Sequence, residues 1–232
     1  MTFTPTVSHV NWQPCWRLIP SRFPPIGLFD RVADPEDLDI VFAIEGLTND
    51  RLRDEAGDIT LVLPEDRISG SGTTPIMAAF THLNPEGSRF TDGGYGVYYA
   101  ANTLDTAIAE TRFHRTLFLA ATNEPPIEID IRSYASDLTA DLHDIRNRQG
   151  EIPDIYDPDP SHYAPAQAMA KTLRNSGSNG IVYDSVRFSG GKCVALFRPC
   201  VLSSVRQGPH FCYVWNGRGI ADVYQKSSYS VN

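Results

Sequence analysis

Arg89, Tyr99, Glu110 and Ser185 are the residues whose types and settings point to chemistry. A guanidinium grips phosphate-type oxygens through two parallel hydrogen bonds, a task that the point charge of a lysine performs less well. A fixed carboxylate stabilises positive charge that develops in a transition state. An aromatic ring offers a flat apolar platform, and a hydroxyl brings one donor together with acceptor capacity. Each residue also has an ordinary reading. Arg89 has Asp92 and Glu86 nearby for a surface ion pair, Tyr99 suits a core, Glu110 has His114 and Arg112 at helical spacing, and Ser185 suits a turn.

The elements that must hold these residues follow from periodicity. Val97, Tyr99 and Ala101 alternate with Tyr98 and Ala100, which is the period of a strand. Asn102 followed by Asp105 marks a helix start. Leu104, Ala107, Ile108, Thr111, Phe118 and Leu119 project from one side of that helix, which sets Glu110 at the margin of the apolar face near Thr106 and His114. Residues 180–183 and 193–197 read as strands joined through Ser189-Gly-Gly-Lys192, with Ser185 just past the first. Further strands are expected at 127–131 and 211–215. Helices are expected from Pro35 to about Asp54 and from Pro165 to Leu173, the latter stopped by Gly177. Residues 64–72 and 137–160 read as loop, and the first 35 residues, rich in Pro and aromatics, as an extended segment laid over the domain. Strands interspersed with helices predict an α+β fold, a single domain with a mixed, largely antiparallel sheet core and flanking helices.

Length and charge narrow the classes. A chain of 232 residues with 41% apolar content can bury one substantial core. The reading divides it into an N-terminal extension (1–14), a main domain (15–205) and a C-terminal tail (206–232) that either covers the site or completes the sheet. No run approaches the roughly 18 to 20 apolar residues of a membrane span, and the first residues lack the basic and apolar regions of a secretory signal, so the expectation is a cytoplasmic protein with no membrane partner. A net charge of −8 repels a phosphate-rich polymer and argues against nucleic acid, although a small anion in a local basic pocket is compatible with it. Cys15, Cys193, Cys200 and Cys212 form no C-x-x-C pair and are read as reduced thiols, with no metal expected. His82 and His114 lack partner spacing such as H-E-x-x-H and are read as structural. Gly93, Gly94 and Gly96 precede a strand instead of following one, so neither phosphate-loop fingerprint applies.

Two longer stretches add a resemblance. SRFTDGGYGVYYAANTLDTAIAETRFH resembles the central signature of RES-domain proteins: an Arg-aromatic pair, a Tyr-bearing strand, and a small-residue helix reaching an Ala-x-x-Glu step, here 107–110. GIVYDSVRFSGGKCVALFRP resembles the later signature of strand, Ser, Gly-bearing turn and Leu-Phe-x-Pro strand. Cys15-Trp-Arg17-Leu matches the early aromatic-Arg entry, so the resemblance runs over about residues 15 to 200. The family is named for Arg, Glu and Ser, carried here by Arg89, Glu110 and Ser185, with Tyr99 as its tyrosine.

The resemblance implies an ADP-ribosyltransferase-like fold and a toxin of a toxin–antitoxin pair, held inactive by an Xre-type helix-turn-helix antitoxin. It further implies action on NAD⁺, by hydrolysis, phosphorolysis or transfer of ADP-ribose to a protein. On that reading Glu110 stabilises the oxocarbenium-like ribose and Arg89 binds the pyrophosphate with Arg17 as helper. Tyr99 stacks on the nicotinamide. Ser185 holds a ribose hydroxyl, a phosphate oxygen or the carboxamide. A non-catalytic binding module is the reading from a different class.

Overall fold

A computed structural model describes residues 3–21 and 57–227. The expected helix at 35–54 lies outside them. Seven strands form one sheet: β1 (Thr6–Pro20), β2 (Tyr98–Ala101), β3 (Ile127–Asp144), β4 (Gly180–Asp184), β5 (Lys192–Leu196), β6 (Arg206–Trp215) and β7 (Ile220–Lys226). Three α-helices accompany them among the described residues: α1 (Thr74–Thr81), α2 (Leu104–Ala121) and α3 (Ala164–Asn175). The strand order is β1-β2-β5-β4-β3-β6-β7, and β1 also pairs with β3, so the first five strands close on themselves. Among the described strands only the β3–β4 pair is parallel. The architecture is the mixed, largely antiparallel α+β domain that the sequence predicts.

Alternation along the central strands separates two apolar cores. Ala101, Ile181, Tyr183, Cys193 and Ala195 face one core, which α2 and α3 cover with Ala107, Leu119, Ala166, Ala170 and Leu173. Tyr98, Ala100, Val182, Val194 and Leu196 face the other, which α1 covers with Ile76, Met77 and Phe80. The side of the sheet on which a strand residue lies therefore decides whether it can meet α2.

Three local expectations need correction. Residues 137–144 are strand, because Leu138, Ala140 and Leu142 alternate into the second core beneath polar residues that disguise the pattern. The described part of the N-terminal segment is a strand with β3 as its long partner, interrupted between Trp12 and Cys15 at Pro14, which has no N–H to give to the ladder. The N-cap of α2 is Thr103, whose hydroxyl accepts the Thr106 N–H, while Asn102 prolongs the ladder by exchanging bonds with the Lys192 backbone. At the C-terminus β6 and β7 complete the sheet beside β3.

Candidate active site

Glu110 lies almost two turns into α2 on the side that faces β4 and β5. The Ser185 hydroxyl donates to its Oε1 at 2.6 Å, and the Cys193 thiol approaches the same oxygen at 3.8 Å. These contacts follow from the hairpin: Tyr183 pairs with Cys193, the Ser185 N–H donates to the Gly191 carbonyl, and the connecting turn folds against α2. Gly191 makes that approach possible. A Cβ there would lie 2.6 Å from Thr106 Oγ1 and 2.7 Å from its Cγ2, one helical turn before Glu110. Burial and the Glu110 charge push both the Cys193 thiol and the Tyr183 hydroxyl well above their ordinary values, so both stay protonated.

Ser185 is fully engaged by the protein. Its one proton goes to Glu110, and its oxygen accepts the N–H groups of Arg187 and Phe188, each at 3.0 Å. One donor and two lone pairs are the whole capacity of a hydroxyl. The geometry thus turns the sequence expectation around, because Ser185 orients the carboxylate and has nothing left for a ribose, a phosphate or an amide. Glu110 Oε2, by contrast, has no partner among the described residues.

Arg89 is buried, and its Nη1 donates to the carbonyls of Ile155 at 2.8 Å and Asp157 at 2.9 Å. Its Cζ lies 4.4 Å from the centroid of the Tyr163 ring, and Nη2 reaches that hydroxyl at 3.3 Å. Nε–H and one Nη2–H keep no partner among the described residues. The ion pair open to Arg89 in the sequence does not form with Asp92, whose carboxylate takes Lys171 at 2.8 Å. Tyr99 holds the turn that carries Arg89: its hydroxyl meets Ser88 Oγ at 2.7 Å and accepts the Phe90 N–H at 3.0 Å. Burial raises that hydroxyl to about 12, against the pull of Ser88, Phe90 and Arg89. The tyrosine is neutral at physiological pH.

Both Arg89 and Glu110 act electrostatically on Tyr183. His114, one turn beyond Glu110, is pushed below its ordinary value by its packed surroundings and then by Arg187, Arg89 and Arg115. Arg112, the other partner open to Glu110, donates instead to the Ile220 carbonyl in β7.

Arg17 does not join this group. Strand parity puts it on the side of Cys15 and Tyr98, with its Cζ 4.6 Å from the Tyr98 ring centroid, across the sheet from α2. It touches Tyr99 only at the backbone carbonyl, at 3.2 Å. The early Cys-Trp-Arg match could not reveal this, since the face depends on the β1–β3 register. Conversely, Arg187 of the quoted Y-D-S-V-R segment goes unassigned in the sequence and packs on α2 three residues from Glu110. Its guanidinium stacks on Phe113, with Cζ 3.3 Å from the ring centroid, and donates to the Pro158 carbonyl. A separate cavity of about 310 Å³ with Asp66, Phe80, Arg174 and Arg198 in its wall opens at the opposite end of β2, β4 and β5 and includes none of these groups. No group of three or more His, Cys, Asp or Glu side chains able to hold a metal occurs among the described residues, and no helix among them is long and apolar enough to cross a membrane.

A folded unit with this sheet and this Arg-Tyr-Glu-Ser arrangement is a RES domain: the model of that family matches residues 64–216, and the chain belongs to the family. The uncharacterized protein y4oC of Sinorhizobium fredii (strain NBRC 101917 / NGR234) is 30% identical over 222 residues, covering 90% of this chain and 86% of that protein. Among solved structures, the MbcT–MbcA toxin–antitoxin complex of M. tuberculosis is similar at 14% identity and a TM-score of 0.45, over 90% of this chain and 87% of the other.

Proposed function

We propose that this chain is an NAD⁺-consuming enzyme that cleaves the nicotinamide–ribose bond, acting in the cytoplasm as the toxin of a toxin–antitoxin pair. The observation that carries the reading is Glu110: Ser185 fixes one carboxylate oxygen and leaves the other without a partner among the described residues, while the Arg89 guanidinium meets carbonyls and a tyrosine but no carboxylate among them. As the C1′–N bond breaks, its electron pair stays with nicotinamide, which leaves neutral, and positive charge builds on the ribose. A carboxylate fixed beside that carbon stabilises the transition state more than the ground state. The oxygen of water or phosphate then bonds to C1′, and water gives up a proton in doing so. Arg89 keeps Nε–H and one Nη2–H for the diphosphate, and the half-buried Tyr99 ring is the apolar wall for nicotinamide. The RES family membership supports an antitoxin partner, which the RES resemblance makes an Xre-type helix-turn-helix protein.

Purified protein incubated with NAD⁺ and followed by chromatography should release nicotinamide, and Glu110→Gln should stop it. No release in water, in phosphate or in cell extract rejects the proposal and leaves the binding-module reading. Transfer of ADP-ribose to a protein is the second reading, favoured by the irregular segment 145–163, which lies against Arg89 and could shape an acceptor surface. Labelled NAD⁺ in extract separates the two, since label on protein supports transfer and free ADP-ribose or its phosphate supports cleavage.

A further inference from the structure

Two arginines of the site hang from one short stretch of main chain. Arg89 donates to the carbonyls of Ile155 and Asp157, and Arg187 to that of Pro158, so residues 155–158 act as a strap presenting two guanidiniums side by side. Among the described residues neither forms an ion pair with a carboxylate. Asp159, on which Arg187 acts weakly, has its carboxylate occupied by the backbone and hydroxyl of Ser161. In a chain of net charge −8, two cations with no acidic partner among the described residues have the character of an anion site.

Arg187 also carries a mark of incomplete bonding. Its Nε lies out of solvent contact with no hydrogen-bond partner, a position that costs free energy unless a ligand satisfies it. Stacking on Phe113 fixes the plane of the guanidinium, and one bond to Pro158 leaves most of its N–H groups available. Phe113 belongs to α2, one turn from Glu110, so the stack ties the arginine to the helix that carries the carboxylate.

We infer that Arg187 is a second anion-binding residue of this site, and that with Arg89 it takes the diphosphate of the dinucleotide, one guanidinium for each phosphate. The inference rests on the proposed NAD⁺ reaction for its ligand, but Arg187 can be tested apart from turnover. ADP serves as a diphosphate probe that cannot react, and nicotinamide as a probe without phosphate. Their binding would be measured by calorimetry on the wild-type chain, Arg187→Gln and Arg187→Lys, alongside KM and kcat for NAD⁺.

The expected result is that Arg187→Gln weakens ADP and raises KM for NAD⁺ by at least about tenfold, with kcat and nicotinamide binding within about twofold. Arg187→Lys, which keeps the charge and loses the planar stack, should fall between. Melting curves identify any variant that fails to fold, in which case Arg187→Lys alone decides by the same ADP measurement. Unchanged ADP affinity in a folded variant overturns the inference. So does a loss confined to the concentration dependence on inorganic phosphate, which would place Arg187 at the acceptor. If wild-type protein binds ADP through Arg187 yet releases no nicotinamide, the anion site stands and the proposed reaction falls.

Discussion

Replacing Ser185 with alanine removes three hydrogen bonds at once: one to the Glu110 carboxylate and two from the Arg187 and Phe188 backbones. A bond to a charged group contributes about 1.5 to 3 kcal/mol and a neutral one about 1 kcal/mol. The site is half-buried and water can replace part of this, so the expected loss of stability is about 1 to 3 kcal/mol. At this chain length each kcal/mol lowers Tm by roughly 2 to 4 °C. The effect on rate should be larger. Without the Ser185 proton, only the long contact from Cys193 restrains Oε1, and a misplacement on the order of 1 Å can cost about a hundredfold. Initial rates of nicotinamide release across a range of NAD⁺ concentrations should show kcat down about a hundredfold and KM little changed, with Ser185→Thr recovering much of it. Retention of kcat within about threefold, or a loss confined to KM, would show that Ser185 holds substrate and would refute the argument from its filled bonding capacity.

Other perturbations test the supports. Arg89→Lys cannot reproduce two carbonyl bonds and a ring stack, so it should cost about 2 to 3 kcal/mol, abolish nicotinamide release and open segment 145–163 to proteolysis, as read by chemical denaturation and limited trypsin digestion. Gly191→Ala places a methyl against Thr106 and should cost about 1 to 3 kcal/mol together with activity, while adding Thr106→Ala should restore part of both. Acid should destabilise the fold from below about pH 6.5. His114 and His143 are both held below the ordinary value of 6.5, the latter by burial, so the unfolded chain takes up protons before the folded one does and stability falls as pH drops. His162, raised by its bond to Asp157, acts in the opposite sense but is exposed, so denaturation midpoints should be lower at pH 5 than at pH 7.

Much of this was legible before any coordinates. The alternation at 97–101 set Tyr99 with Val97 and Ala101 on the face opposite Tyr98 and Ala100, and the helical phase of Glu110 set it at the margin of the apolar face; both depend on local period alone. What escaped the sequence depends on register and on long-range contacts. Arg17 reads as a site residue because Cys15-Trp-Arg17-Leu matches the early aromatic-Arg entry of the RES resemblance, yet parity from Cys15 turns it to the other core. Residues 137–144 read as loop because Asp137, Asp141 and Asp144 dominate the composition, although Leu138, Ala140 and Leu142 follow the period of a strand. Arg187 gives no local signal at all, since its meaning comes from the Phe113 ring and the Pro158 carbonyl, 74 and 29 positions away.

The same contacts explain why the polar residues of this site serve two purposes. Arg89 and Tyr99 are joints of the fold: one ties segment 145–163 to the turn at 88–91, and the other ties that turn to β2. Any change at either position disturbs packing as well as chemistry, so loss of activity there says little about mechanism. Glu110 differs. It accepts from Ser185 and Cys193 but closes no loop and anchors no second element beyond them. Its conversion to the isosteric amide removes charge while keeping volume and acceptor capacity, and so separates the stabilisation of a cationic ribose from the stability of the protein that surrounds it.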